Sequence, residues 1–179
     1  MLDDHGFEIY EENAFPLAYL ITFRTYGTWL PGDQRGWIDR VSDSRSVVMR
    51  VEPNKPLGEE MRSRMKHRAV LLDQRQREMV IAAIKEVCEY RGYSLKGINV
   101  RSNHLHSVVS ANCRPEKIAN DFKSYATRRL RAKGYDLPRV WSRGASTRYL
   151  WKPSHVAAAI DCVLYSQGDV PFETISAID

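Results

Sequence analysis

Apolar and polar positions change their period several times along this chain, and each change marks an element. Residues Leu17-Ala-Tyr-Leu-Ile-Thr-Phe-Arg24 are dense in aromatic and β-branched side chains and read as a strand. Glycine and proline in Tyr26-Gly-Thr-Trp-Leu-Pro-Gly-Asp-Gln-Arg-Gly36 then break any regular pattern. Up to about Lys66 the chain is polar, with Pro53, Pro56 and Gly58, which predicts a long connection containing a short helix at 59–68. Asp73-Gln-Arg-Gln76 has the form of a capping box. Behind it, Val80, Ala83, Ile84, Val87 and Cys88 recur at helical spacing until Gly92. Strand-like runs occupy 93–100 and 105–111. Pro115 suits the first turn of a second helix with Ile118, Phe122 and Ala126 inward, ending near Gly134. A short strand at 147–151 and a third helix at 153–167, stopped by Gly168, complete the order.

Strand, helix, strand, strand, helix, strand, helix predicts an α+β fold. Consecutive strands pair antiparallel, and the helices pack on one face in the ferredoxin-like manner. The expected organisation is a single domain over 1–179, with an irregular insertion at about 31–70. No internal repeat or low-complexity tract interrupts it.

Composition narrows the class. With 179 residues, 43% hydrophobic and 27% charged, the chain can bury a full core without disulfides and does not have the composition of a disordered protein. No apolar run approaches the ~20 residues of a membrane span, and the acidic start Met1-Leu2-Asp3-Asp4-His5 is unlike a secretory signal. Cys88, Cys113 and Cys162 are odd in number and widely spaced, which reads as reduced thiols and a cytoplasmic location. The net charge is +5 and unevenly spread: the first twenty residues are acidic, while 117–148 carry a basic stripe. That asymmetry favours a polyanionic partner.

The chemistry concentrates at Asn103-His104-Leu105-His106. On a strand, residues i and i+2 share a face, so His104 and His106 present two imidazoles together while Leu105 points the other way. Two imidazoles with oxygen ligands can seat a divalent ion. The plain alternative, two surface histidines at a strand start, is the commoner outcome for a bare His-x-His.

Context sharpens the reading. An opening strand, a helix before the histidine hairpin, Asn103-His104-Leu105-His106-Ser107-Val108-Val109, and the basic stretch Phe122-Lys-Ser-Tyr-Ala-Thr-Arg-Arg129 together resemble the single-tyrosine HUH transposases of insertion sequences. The similarity is greatest to their REP-associated relatives. Tyr26-Gly-Thr-Trp-Leu-Pro-Gly-Asp and Ser146-Thr-Arg-Tyr-Leu-Trp151 look like one bacterial branch of that family, and the resemblance runs from about Ala18 to Asp169. It implies nicking and strand transfer on single-stranded DNA through a 5′-phosphotyrosine link, with Mg²⁺ or Mn²⁺ on His104 and His106. It also implies a homodimer in which the terminal helix of one chain serves the other's histidines.

In such transposases the tyrosine lies on the last helix, and a polar residue one turn later completes the metal shell. At about 100° per residue, Val156, Ile160, Val163 and Gln167 form the inner face of that helix and Tyr165 points away. Tyr165 is the candidate nucleophile and Gln167 the candidate third ligand. Counting back from Gln167, however, the family register falls on Cys162, which keeps open a relative that binds hairpin or single-stranded DNA without cutting it. Tyr125 and Tyr149 are weaker candidates for the hydroxyl.

For DNA contacts the basic stripe offers Lys117, Lys123, Arg128, Arg129, Arg143 and Arg148, next to Trp141, Tyr149 and Trp151 as stacking surfaces. Each alone also fits a solvated surface or a partly buried aromatic. A third class, an unrelated metal hydrolase for small substrates, expects further Asp or His ligands beside the pair, and none stands there.

Overall fold

Along the first strand, alternate side chains enter two separate apolar clusters: Tyr19, Ile21 and Phe23 go to one, Ala18 and Leu20 to the other. A strand that is apolar on both sides must be covered on both sides, and this one is. The structure is a computed structural model that describes residues 15–35, 37–40 and 48–166. Its elements are β1 (Ala18–Arg24), β2 (Trp37–Arg40), β3 (Val48–Val51), α1 (Lys55–Ser63), α2 (Gln74–Arg91), β4 (Ser94–Val100), β5 (His104–Ser110), α3 (Pro115–Ala132), β6 (Ser146–Leu150) and α4 (Pro153–Tyr165).

The main sheet has the order β4-β5-β1-β6, with every pair antiparallel. The expected α+β sheet is therefore present, but the expected cover on one face needs correction. Helices α2 and α3 share one face, where Val80, Ile84, Ile118, Phe122 and Leu130 are fully buried against β1, β4 and β5. Helix α4 lies on the opposite face, setting Ala159, Val163 and Leu164 on Ala18, Val108 and Leu150. The physical reason is the apolar content of the central strands: Ala18 and Val108 leave a second greasy patch that has to be removed from water.

Local signals act as their chemistry dictates. Asp73 accepts from the Gln76 amide at 2.8 Å while the Gln76 side chain accepts from the Asp73 amide at 2.9 Å, closing the capping box of α2. Gly92 ends that helix in the left-handed conformation with φ of 69°. The 31–70 region is more regular than expected. It contains the β2–β3 hairpin, and α1 begins at Lys55, ahead of the predicted 59, because Asn54 caps it through the Leu57 amide and Pro56 fits the first turn.

One irregularity matters for the site. Between Leu95 and Gly97 the β4–β5 register shifts by one residue, the signature of a β-bulge. Leu95 and Ile98, an odd number of positions apart, consequently both enter the α2/α3 core, and Asn99 pairs with His106 on the α4 face.

Candidate metal and nucleic-acid site

The histidines stand on the α4 face of β5, a central strand, as period-two alternation requires: Leu105 and Val109 are buried in the α2/α3 core, and Val108 beneath α4. Their rings are side by side, with centroids 4.7 Å apart. Each Nδ1 already has a partner. His104 Nδ1 meets Asn103 Oδ1 at 2.6 Å, and His106 Nδ1 meets Thr22 Oγ1 at 2.7 Å. A carboxamide oxygen can only accept, so His104 carries its proton on Nδ1 and keeps the Nε2 lone pair. The Thr22 hydroxyl takes either role, and accepting from Nδ1 gives His106 the same tautomer.

Burial drives the His106 pKa down to about 4, helped by the neighbouring His104, with which it would share charge unfavourably, and by the cations Arg24 and Arg101. The imidazole is thereby neutral at physiological pH, the state in which it can ligate. These features fit a divalent cation held by two imidazole nitrogens. Among the described residues no third His, Cys, Asp or Glu joins the pair to form a metal cluster. Oxygen ligands added to the two imidazoles would suit Mg²⁺ or Mn²⁺.

A polar row crosses the sheet at this level: Asn99, His106, Thr22 and Ser146 are successive register partners on β4, β5, β1 and β6. Asn99 is buried at 3% exposure, and its Nδ2 donates to the Val163 carbonyl at 2.9 Å. Val163 is in the last turn of α4, where carbonyls have no intrahelical partner. Asn99 therefore ties the end of α4 to the strand beside the histidines. Its Oδ1 is buried with no partner among the described residues. Sequence reasoning missed Asn99 and Thr22, although the alternation of Thr22 and Arg24 with Ile21 and Phe23 carries the signal.

Tyr165 is 73% exposed, on the side of α4 turned from its own sheet. Cys162 is also exposed. The predicted inner face of α4 is right for Val163, and Ile160 and Val156 pack at its margin, while Ala159 and Leu164 share the burial. Gln167, the expected third ligand, lies outside the described residues, as do Gly168 and Asp169.

The predicted cationic stripe divides by geometry. Lys123 turns inward: its ammonium donates to the Ser142 and Gly144 carbonyls at 2.9 and 2.5 Å, and burial lowers its pKa to about 8. Lys117 binds Asp121 and the Tyr93 hydroxyl, and Arg129 pairs with Glu86 at 2.7 Å. Arg128 lies 4.3 Å over the Tyr125 ring. Arg143 and Arg148 are exposed and form no ion pair with a described residue. Arg148 pairs in register with Leu20, which puts it on the α4 face. Trp141, expected at the surface, is buried at 8% against Phe23, with its indole N–H directed to the Lys123 carbonyl and the Thr127 hydroxyl. Tyr149 and Trp151 stack on each other beside edge strand β6, with Tyr149 48% exposed.

Three comparisons set this arrangement among known proteins. A solved structure described as a REP-associated tyrosine transposase bound to a REP hairpin superposes with a TM-score of 0.50 at 12% identity, over 83% of this chain. This chain spans 65% of the length of that protein. A Deinococcus radiodurans R1 protein of provisional transposase designation gives 0.45 at 12% identity, over 88% of this chain and 95% of its own. No curated protein sequence matches the chain. The sequence profile described as "Transposase IS200 like" matches residues 62–167, from the end of α1 through the histidine strand to just past α4. That match takes in more than half of the chain, which therefore belongs to the IS200-like transposase family.

Proposed function

We propose that this protein nicks and rejoins single-stranded DNA, with His104 and His106 holding Mg²⁺ or Mn²⁺ and Tyr165 attacking the phosphodiester to leave a 5′-phosphotyrosine link and a free 3′-hydroxyl. The observation that carries the reading is the paired imidazoles 4.7 Å apart, each with Nδ1 engaged, on the same sheet face as the helix bearing Tyr165. When bound, the cation would polarise the scissile phosphate and offset charge on its oxygens. Asn103 and Thr22 orient the two rings, and the Asn99–Val163 bond holds the turn that precedes Tyr165. A phenol is a weak nucleophile at neutral pH, so its placement has to supply most of the activation. Gln167 is our candidate for the third protein ligand.

Tyr165 faces away from its own sheet. This supports a homodimer in which α4 of one copy supplies the hydroxyl to the histidines of the other. Arg128, Arg143 and Arg148, with the Tyr149–Trp151 stack, are our candidates for contacting the strand, Lys117 and Arg129 adding positive charge. The hairpin held by the structural relative supports hairpin or single-stranded DNA as the partner.

A second reading keeps DNA binding and drops cleavage. It is favoured by Cys162 at the position where the family register counts a tyrosine. Incubating the protein with single-stranded DNA from its own gene flanks and Mn²⁺ separates the two. The nicking reading expects a denaturation-resistant protein–DNA adduct that Tyr165→Phe and His106→Ala each abolish. Binding with no adduct under any divalent ion leaves the second reading; an adduct that survives Tyr165→Phe removes Tyr165 as the nucleophile.

A further inference from the structure

Arg24 ends β1 directly opposite His104 in the β1–β5 register, two positions beyond the Thr22 that contacts His106. Period-two alternation puts it on the histidine face with Thr22, since the alternating Ile21 and Phe23 are buried in the α2/α3 core. Its guanidinium carbon lies 3.2 Å from the centre of the Trp29 ring. On the same indole, Arg35 sits at 4.2 Å.

The two arginines differ in one respect. Arg35 is charge-matched: its Nε and Nη2 donate to the two Asp33 oxygens, each at 2.7 Å, and Nη2 also reaches the Thr28 carbonyl at 2.8 Å. Arg24 has no carboxylate partner among the described residues. It is nevertheless withdrawn from water: desolvation and the neighbouring Arg35 lower its pKa to about 10, and the Asp33 carboxylate, already bound to Arg35, offsets only part of that. A cation–π contact recovers only part of what a half-buried cation loses in hydration. The guanidinium is thus packed on the indole at the strand position opposite His104, and no described carboxylate forms a salt bridge with it.

We infer that Arg24 is a phosphate-binding residue whose guanidinium, braced by Trp29, takes a non-bridging oxygen of the DNA phosphate brought to His104 and His106. The identity of that anion rests on the nicking reading above; the need for an anion rests on the geometry alone. The planar fork matches phosphate in a way a lysine cannot. The Gly-Thr-Trp-Leu-Pro-Gly-Asp-Gln-Arg segment acquires a role with it, because Trp29 supplies the surface on which Arg24 lies.

The test measures binding of dT20, a single-stranded oligothymidylate, across a salt series with Mn²⁺ and again with EDTA. Arg24→Gln is expected to weaken binding about tenfold at low salt and to flatten the log–log salt slope by about 0.7, the increment for one phosphate contact on a single strand. Arg35→Gln, which removes a charge already matched by Asp33, is expected to change the slope far less. Arg24→Lys should fall between wild type and Arg24→Gln, keeping the charge and losing the fork. Mn²⁺ retention, followed by electron paramagnetic resonance, should persist in Arg24→Gln, because a positive neighbour of the ion has been removed. Equal losses for Arg24→Gln and Arg35→Gln, or an unchanged slope in a folded Arg24→Gln protein, overturn the inference. So does loss of Mn²⁺ together with DNA, which marks Arg24 as a prop for the histidines. Arg24-dependent binding without any covalent adduct leaves the inference standing and sinks the nicking reading.

Discussion

Asn99 and Val163 join β4 to the end of α4: the Asn99 side-chain amide donates to the Val163 carbonyl at 2.9 Å. The same asparagine is the register partner of His106. Asn99→Ala is expected to cost about 1–3 kcal/mol, the usual consequence of leaving a buried acceptor unmatched. Hydrogen exchange at the end of α4 should accelerate more than global unfolding explains. Unchanged protection there would mean that apolar contacts through Val163 and Leu164 hold the helix by themselves.

Acid should weaken the folded chain through His106. Its folded pKa of about 4 is below the ordinary histidine value of 6.5, so between those values the unfolded chain binds a proton that the folded chain does not. The stability contributed by the neutral imidazole is full above pH 6.5 and is lost as pH falls towards 4, by up to roughly 3 kcal/mol. Urea unfolding in EDTA should accordingly show a steeper decline for wild type than for His106→Gln over this window. Parallel curves would contradict the assigned shift.

Two glycines with positive φ should respond very differently to alanine. At Gly32, φ is 89° and an added Cβ would come within 2.3 Å of the Gly58 backbone nitrogen, whereas at Gly92 nothing lies within 4 Å. Gly92→Ala is expected to cost about 1 kcal/mol from backbone conformation alone. Gly32→Ala should cost several times more in thermal denaturation and should also disturb Trp29 fluorescence, because the turn and α1 must separate. Similar losses at the two positions would show that the turn and α1 can part without penalty.

Salt dependence should distinguish the cations that face solvent from those that do not. Arg143→Gln and Arg148→Gln are each expected to lower the dT20 salt slope by about 0.7. Lys123→Met is expected to leave the slope alone and lower the melting temperature, because its ammonium anchors the 142–144 loop. A slope change on Lys123→Met comparable to that of Arg148→Gln would return Lys123 to the DNA-contacting set.

Much of this architecture was legible from residue patterns, and what was not has an identifiable cause. All four strands of the main sheet, the capping box at Asp73 and the Gly92 stop follow from short-range chemistry that each segment carries by itself. The His104–His106 pair is legible for the same reason, since alternation within one strand puts both rings on one face. Asn99, Thr22 and Arg24 join that pair only through pairing between strands remote in sequence, and no local period encodes a register across three strands. Helix α4 illustrates the matching limit: its apolar face can be read from spacing, but not the side of the sheet it covers. The β2–β3 strands are four residues each, too short to establish an alternation, and the start of α1 was obscured by reading Pro56 as a breaker when Asn54 makes it a first-turn residue.

The bulge at Lys96 gives the site a reserve of chain length on one side only. Deleting that one residue would remove no catalytic candidate and no core side chain, and Leu95–Val109, Gly97–Val108, Ile98–Ser107 and Asn99–His106 would remain partners in a plain register. Strand β5 holds no such spare residue. Loss of Ser107 would set His106 next to Val108 and turn the histidines towards the α2/α3 core. An in-frame codon loss is thus absorbed in one strand and ruinous in its neighbour.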